Sequence, residues 1–90
     1  MKFEWDDSKA KKNIRKHGIS FDEATTVFGD PMAVTYADPE HSIEEYRFLT
    51  FGRSSTGRLI AVSHTERGDK IRPISAREMT PKEKRDYEQI

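Results

Sequence analysis

Thr65-Glu-Arg-Gly-Asp-Lys-Ile-Arg-Pro-Ile-Ser-Ala-Arg77 is the stretch whose reading decides the fold. Gly68-Asp69 is the kind of dipeptide a tight turn needs. The apolar run Leu59-Ile60-Ala61-Val62 precedes it, and Ile71, Ile74 and Ala76 follow with period-two character, so the stretch reads as the tip and second strand of a β-hairpin. A two-residue turn at Gly68-Asp69 pairs Arg67 with Lys70, Thr65 with Arg72, Ser63 with Ile74 and Ile60 with Arg77. Arg67, Lys70 and Arg72 then cluster on one face at the turn end. Arg77 stands five residues beyond Arg72, so a regular strand puts it on the opposite face, about 17 Å along. Proline in a strand implies an edge or a bulge, however, and a bulge at Pro73 brings Arg77 to the same side. The sequence leaves both readings open. Cations threaded so densely through a strand call for water, an acidic partner or phosphate.

Upstream, Lys2-Phe-Glu-Trp-Asp6 alternates apolar and polar residues and reads as a short first strand. Trp5 is read as a core anchor, with a base-stacking surface as the alternative. Asp6 or Asp7 caps a helix that runs to about His17 and ends at Gly18. Ala10, Ile14 and His17 share one narrow face, and Lys9, Lys11, Lys12, Arg15 and Lys16 spread over the rest, which makes the helix strongly basic. Lys12 and Lys16 are candidates to meet RNA phosphates. His17 is a candidate acid or base, with a capping or core histidine as the alternative; His41 and His64 have weaker claims. Ser20-Phe-Asp-Glu23 is a capping box for a second helix, stopped at Gly29. Ala33 to Tyr36 reads as a strand and Ala37 to Ser42 as a loop. Glu44-Glu45-Tyr46-Arg47 leads into another strand, with Arg47, Leu49 and Phe51 on one face. Thr80-Pro-Lys-Glu83 opens a last helix that runs through Tyr87 to the end; Tyr87 is read as packed on the sheet, with substrate contact as the alternative.

Ninety residues with 33% hydrophobic and 36% charged side chains make one small domain with a thin core. The net charge of zero conceals an uneven layout. Residues 29–46 carry Asp30, Asp38, Glu40, Glu44 and Glu45 with no Lys or Arg, whereas residues 47–77 carry six arginines and a lysine against Glu66 and Asp69. Such separation can create a positive field for nucleic acid although the total is neutral, and charges that merely coat a small surface are the ordinary alternative. No cysteine is present, which removes disulfides, thiolate metal sites and a cysteine nucleophile and fits an intracellular protein. No apolar run approaches the roughly 18 residues of a membrane span, and there is no signal-peptide apolar region, so a cytoplasmic protein without membrane contact is expected.

Taken together, Phe3-Glu-Trp-Asp6, Asn13, Lys16-His-Gly18, Phe21, Ala24, Val27-Phe28, Asp30-Pro31, Glu45, Arg47, Gly57-Arg58, Thr65, Arg67, Ile71-Arg72, Ile74-Ser-Ala-Arg77, Glu83 and Tyr87 resemble the BrnT family of toxins from bacterial type II toxin–antitoxin systems, relatives of the RelE-like ribonucleases. Pro73 departs from the apolar residue expected at its position. The resemblance implies an α+β fold: a twisted antiparallel β-sheet with two helices after the first strand and one C-terminal helix. It implies a metal-independent ribonuclease without cofactors that blocks translation. It also implies a BrnA-like antitoxin with a ribbon-helix-helix domain, which joins the toxin in a complex that represses its own operon, so that operator DNA is met only through the antitoxin.

Metal-free RNA cleavage needs the ribose 2′-OH activated, the phosphorane charge stabilised and the 5′-oxygen protonated. Arg67, Arg72 and Arg77 are the candidates to bind the scissile phosphate, since planar guanidinium matches its oxygens. Lys70 adds charge beside them. Either His17 or Glu45 serves as base, and either His17 or Lys16 as acid. For each arginine the alternative is a salt bridge to the acidic 38–45 block, and for Arg47 that alternative is preferred. Two other functions remain: a non-catalytic module that binds nucleic acid or protein, and a structural subunit of a transcriptional complex.

Overall fold

A computed structural model describes residues 1–41 and 45–89. Among the described residues five strands form one sheet in the order β1-β5-β4-β3-β2, where β1 is Lys2–Phe3, β2 Val34–Ala37, β3 Phe48–Arg53, β4 Leu59–Arg67 and β5 Lys70–Glu78. Helices α1 (Asp7–His17) and α2 (Phe21–Ala24) follow β1, and α3 (Pro81–Glu88) follows β5. The expected α+β architecture is present, with one change of sense. The four longer strands pair antiparallel, but β1 lies parallel to β5, Lys2 opposite Lys70 and Phe3 opposite Ile71, so the sheet is mixed. Two helices carry the chain from one edge strand to the other, and β1 is left to pair with whichever strand arrives beside it. Ser42 of the expected loop, Glu44 of the expected lead-in to β3, and the terminal Ile90 lie outside the described residues.

Local chemistry sets the helix ends. Asp6 accepts from the Ser8 N–H at 2.8 Å and starts α1, and the Gly18 N–H closes it on the Ile14 carbonyl at 2.8 Å. Thr80 and Glu83 exchange both bonds of a capping box at the start of α3. The box expected at α2 is half made. Ser20 Oγ accepts from the Glu23 N–H at 3.0 Å, but the Glu23 carboxylate turns away to Arg58, and the helix continues as a 3₁₀ segment over Thr25–Gly29.

Helices α1 and α2 and the 3₁₀ segment cover one face of the sheet. Ile19, Phe21, Ala24 and Val27 pack on Ile60 and Val62 of β4 and Ala76 of β5, with Trp5, Ala10 and Phe28 against them. Full burial of each larger side chain contributes about 1.5–3 kcal/mol, and together they offset the ordering of a short chain. Gly52 belongs to the same layer. A Cβ there would stand 3.0 Å from the Val27 Cβ, so only glycine lets β3 and the 3₁₀ segment approach so closely.

Helix α1 seats itself by a polar residue rather than an apolar stripe. Ile14, expected on the inner face, is 49% exposed, whereas Asn13 is 5% exposed. The Asn13 amide donates to the Ala76 carbonyl at 3.0 Å and the Ile19 carbonyl at 2.9 Å, and accepts from the Ala76 N–H at 3.0 Å. Strand β1 is two residues long and does not reach Ala76. The Asn13 amide therefore stands in for the missing neighbouring strand, satisfying backbone groups that burial would otherwise leave unpaired.

Two titratable groups, the half-buried Glu23 and the buried His64, tie the layers. Glu23 Oε2 accepts from Arg58 Nε at 2.9 Å, Ser54 Oγ at 2.8 Å and Thr56 Oγ1 at 2.6 Å, which clamps α2 to the β3–β4 loop. The hydrogen bond from Arg58, helped by those hydroxyls, holds the Glu23 carboxyl at about 2 instead of 4.5. His64 lies between Phe28 and Phe48, with Nε2 2.7 Å from Thr50 Oγ1, and burial lowers it from 6.5 to about 4. Both shifts act in the same direction with pH. His64 contributes fully above pH 6.5 and loses its contribution between 6.5 and 4; Glu23 contributes above 4.5 and loses it towards 2. We expect acidification to remove about 3 kcal/mol through His64 and, discounted for solvent at Arg58, about 2 kcal/mol through Glu23. Denaturant titrations at pH 7, 5 and 3 check this. A flat stability between pH 7 and 5, or an undiminished slope there in His64→Gln, would contradict the assignment to His64.

Candidate active site

The face of the sheet turned away from α1 and α2 carries the cations. The hairpin begins in the expected register, Arg67 opposite Lys70 and Thr65 opposite Arg72, with Gly68 taking the turn at φ +60°. It then slips. His64 faces Pro73, Ser63 faces Ser75, and Ile74 is the extra residue of a β-bulge. Proline has no N–H for the ladder, and the irregularity sits directly beside it. The expected pairs Ser63 with Ile74 and Ile60 with Arg77 are thereby corrected: Arg77 lies opposite Ala61 and Ile60 opposite Glu78. Ala61, Ser63, Thr65 and Arg67 alternate with the core-facing Ile60, Val62 and His64. Arg77 therefore emerges on the same face as Arg67, Lys70 and Arg72.

Each of these cations meets a carboxylate. The Arg77 guanidinium grips Glu83 with both terminal nitrogens, at 2.8 and 3.1 Å, and also donates to the Glu78 carbonyl at 3.2 Å. The hydrogen bond from Arg77 holds the Glu83 carboxyl below its ordinary value, and the bond to Glu83 raises Arg77 in turn. Elsewhere the pairs are looser: Arg67 to Glu45 at 3.8 Å, and Arg72 and Lys70 each to Glu4 at 3.9 Å. Among these pairs only Glu45 comes from the acidic block at 38–45; Glu4 and Glu83 come from β1's end and α3. Pairs longer than a hydrogen bond and open to water are worth little to stability, so Arg67, Lys70 and Arg72 can exchange a carboxylate for a phosphate at low cost.

A cleft of about 280 Å³ opens on this face. Arg77, Ser75 and Ser63 form one wall, and Arg47, Asp38 and His41 the other. The His41 Nδ1 stands 2.9 Å from Asp38 Oδ2. Arg47 shares the face of Leu49 and Phe51, as its parity predicts. Sequence reading passed over Asp38, Ser63 and Ser75 and ranked His41 low. The signal was present for the serines, which alternate in step with Arg67 and Arg77, but it needed the bulge to be read.

Other sequence candidates lie elsewhere. His17, Lys12 and Lys16 belong to α1, on the helical layer that covers the opposite face, and Lys12 and Lys16 are exposed there. Trp5 packs edge-on against Phe21 with centroids 6.0 Å apart, so the core reading holds for it. Tyr87 is 8% exposed and its hydroxyl donates to Asp30. Burial, then the hydrogen bond to Asp30, raises the Tyr87 phenol; burial alone would raise Asp30, but bonds from Tyr87 and the Arg53 and Met32 N–H groups hold it low. Tyr87 thus anchors α3 to the loop before β2. Among the described residues no group of three or more His, Asp or Glu is placed to hold a metal ion, and no helix is long and apolar enough to cross a membrane.

Comparison with known proteins agrees with this architecture. No curated protein matches the chain. A crystal structure of the Brucella abortus ribonuclease toxin BrnT superposes with a TM-score of 0.70 at 25% identity, covering 89% of this chain and 97% of that one. The profile of the ribonuclease toxin BrnT of type II toxin–antitoxin systems matches residues 5–83, most of the 90-residue chain. Type II systems pair such a toxin with an antitoxin, so an antitoxin partner follows from the family. The chain belongs to the BrnT family of ribonuclease toxins of type II toxin–antitoxin systems.

Proposed function

We propose that the whole chain acts as one toxin domain, a metal-independent endoribonuclease that cuts RNA in the cytoplasm and so inhibits translation. The observation that carries this reading is the bulge at Ile74, which sets Arg77 on the same open face as Arg67 and Arg72. Arg77 lines the cleft, and Arg67 and Arg72 stand further along the same face toward the turn; guanidinium groups so placed can hold RNA phosphates and meet the charge that grows on the phosphorane, work for which a metal would otherwise supply the positive charge. Glu45, 3.8 Å from Arg67, takes the 2′-OH proton as base. Lys70 and Arg47 hold neighbouring phosphates. His17, Lys12 and Lys16 on α1 receive contacts with RNA phosphates outside the cleft. Trp5 and Tyr87, committed to packing, keep structural parts.

Neutralisation is proposed to come from a BrnA-like antitoxin whose ribbon-helix-helix domain alone contacts operator DNA. The test uses toxin freed of antitoxin and incubated with RNA in excess EDTA. Cleavage to fragments ending in 2′,3′-cyclic phosphate, stopped when the antitoxin is restored, is the expected result; intact RNA rejects the reading. The carboxylate already held by each of the four cations favours one rival, a non-catalytic RNA-binding module. Salt-sensitive binding with no cleavage product would select it.

A further inference from the structure

The geometry points to His41, oriented by Asp38, as the general acid that protonates the departing 5′-oxygen in the cleft. The inference rests on the ribonuclease reading and assigns the one role that reading leaves unfilled. His41 is the histidine that shares a cleft with Arg77, whereas His17 stands on the helical layer and His64 is buried against Phe28 and Phe48.

The pair is built into the backbone. Asp38 precedes the 3₁₀ turn Pro39–His41 and His41 ends it, and their side chains meet across it. The His41 N–H reaches the Asp38 carbonyl at 3.3 Å, and the Asp38 N–H donates to the Arg47 carbonyl at 2.8 Å, which ties the turn to the start of β3. A carboxylate can only accept, so the proton between His41 Nδ1 and Asp38 Oδ2 belongs to the imidazole. That leaves Nε2 as the nitrogen that gives up a proton, in an orientation the carboxylate fixes. Among the described residues Asp38 is also the one carboxylate in the lining that Arg47 and Arg77 share with His41. The His41 side chain is 63% exposed, so an RNA strand can reach it.

The step balances. The 2′-oxygen forms a bond to phosphorus as its proton passes to Glu45. The bond from phosphorus to the 5′-oxygen breaks, both electrons stay on that oxygen, and it takes the proton from His41 Nε2. The products are a 2′,3′-cyclic phosphate and a 5′-hydroxyl, with His41 left neutral and Glu45 protonated for return through solvent.

A pair of substrates tests the role. One is an ordinary RNA oligonucleotide, and the other carries a 5′-bridging sulfur at the scissile position, which leaves as a thiolate without protonation. His41→Gln is expected to lower cleavage of the oxygen substrate about 10²–10³-fold, the range of general acid catalysis, and to leave the sulfur substrate within about threefold of the unaltered protein. Asp38→Asn should show the same pattern with a smaller loss. An equal loss on both substrates, or no loss on the oxygen substrate, overturns the assignment. Arg77→Ala should lose both substrates alike. If it does while His41→Gln shows no preference for sulfur, the ribonuclease reading survives and the acid assignment falls; if the unaltered protein cuts neither substrate, both fall.

Discussion

Replacing Arg77 by alanine is expected to lower RNA cleavage about 10²–10³-fold, the usual cost of removing a fixed donor aimed at developing oxyanion charge. The guanidinium emerges beside Ser75 and Ser63 at the cleft and is oriented by two bonds to Glu83, so it is pre-set in direction before RNA arrives. Arg77→Lys keeps the charge but loses the fork that can hold Glu83 and a phosphate together. It should recover only part of the rate. Binding should be separable from chemistry: with an RNA blocked by a 2′-deoxy sugar at the scissile position, Arg77→Ala should lower the salt slope of binding by about 0.7, as the loss of one phosphate contact requires. Cleavage at the unaltered rate by Arg77→Ala would remove the open face from consideration as the reacting site. Melting curves supply the control, since the pair is partly exposed and its loss should move Tm by only a few degrees.

Asn13→Ala should be among the most damaging substitutions for folding, at about 3 kcal/mol. The amide satisfies the Ala76 N–H, the Ala76 carbonyl and the Ile19 carbonyl, all buried. Each backbone group left without a partner costs about 1–3 kcal/mol, and water can recover part of that. Against a total stability of about 5–15 kcal/mol, such a loss should lower Tm by roughly 12–24 °C in a chain of this length. Asn13→Asp is no remedy: it keeps the acceptor for Ala76 but removes both donors and buries a charge. Denaturation of the purified variants decides the matter. An Asn13→Ala protein within about 0.5 kcal/mol of the original would show that the side chain does not stand in for a strand.

How much of this could be read in advance depends on how far each signal reaches along the chain. Asp6, Gly18, Thr80 and Glu83 act on backbone groups within four residues, and each sits at a helix end as its chemistry predicts. The first two hairpin pairs, Arg67 with Lys70 and Thr65 with Arg72, follow from a turn that Gly68 permits. Ile14 was placed on the inner face and Asn13 given no place there because periodicity weighs hydrophobicity, and it cannot see that a strand 63 residues away presents an N–H and a carbonyl to an amide. Glu23 was read as half of a capping box, yet Arg58, 35 residues on, offers a stronger partner than a helix N–H. The cleft was the least legible part, because Asp38 and His41 come from one loop while Ser63 and Ser75 come from two strands.

The hairpin between Thr65 and Arg77 divides along the same line. Its amino acids alone determined that it turns at Gly68-Asp69, that Arg67, Lys70 and Arg72 share a face, and that Pro73 marks either an edge or an interruption of the ladder. Only the tertiary structure decided which way the interruption resolves. Alanine at 76 had to face the core beside Val62, with its backbone held by Asn13, and Pro73 had to stand opposite His64. Both demands are met only if Ile74 is squeezed out as a bulge. Core packing on the helical side thus fixes the side on which Arg77 emerges, because a strand's two faces alternate and cannot be set independently.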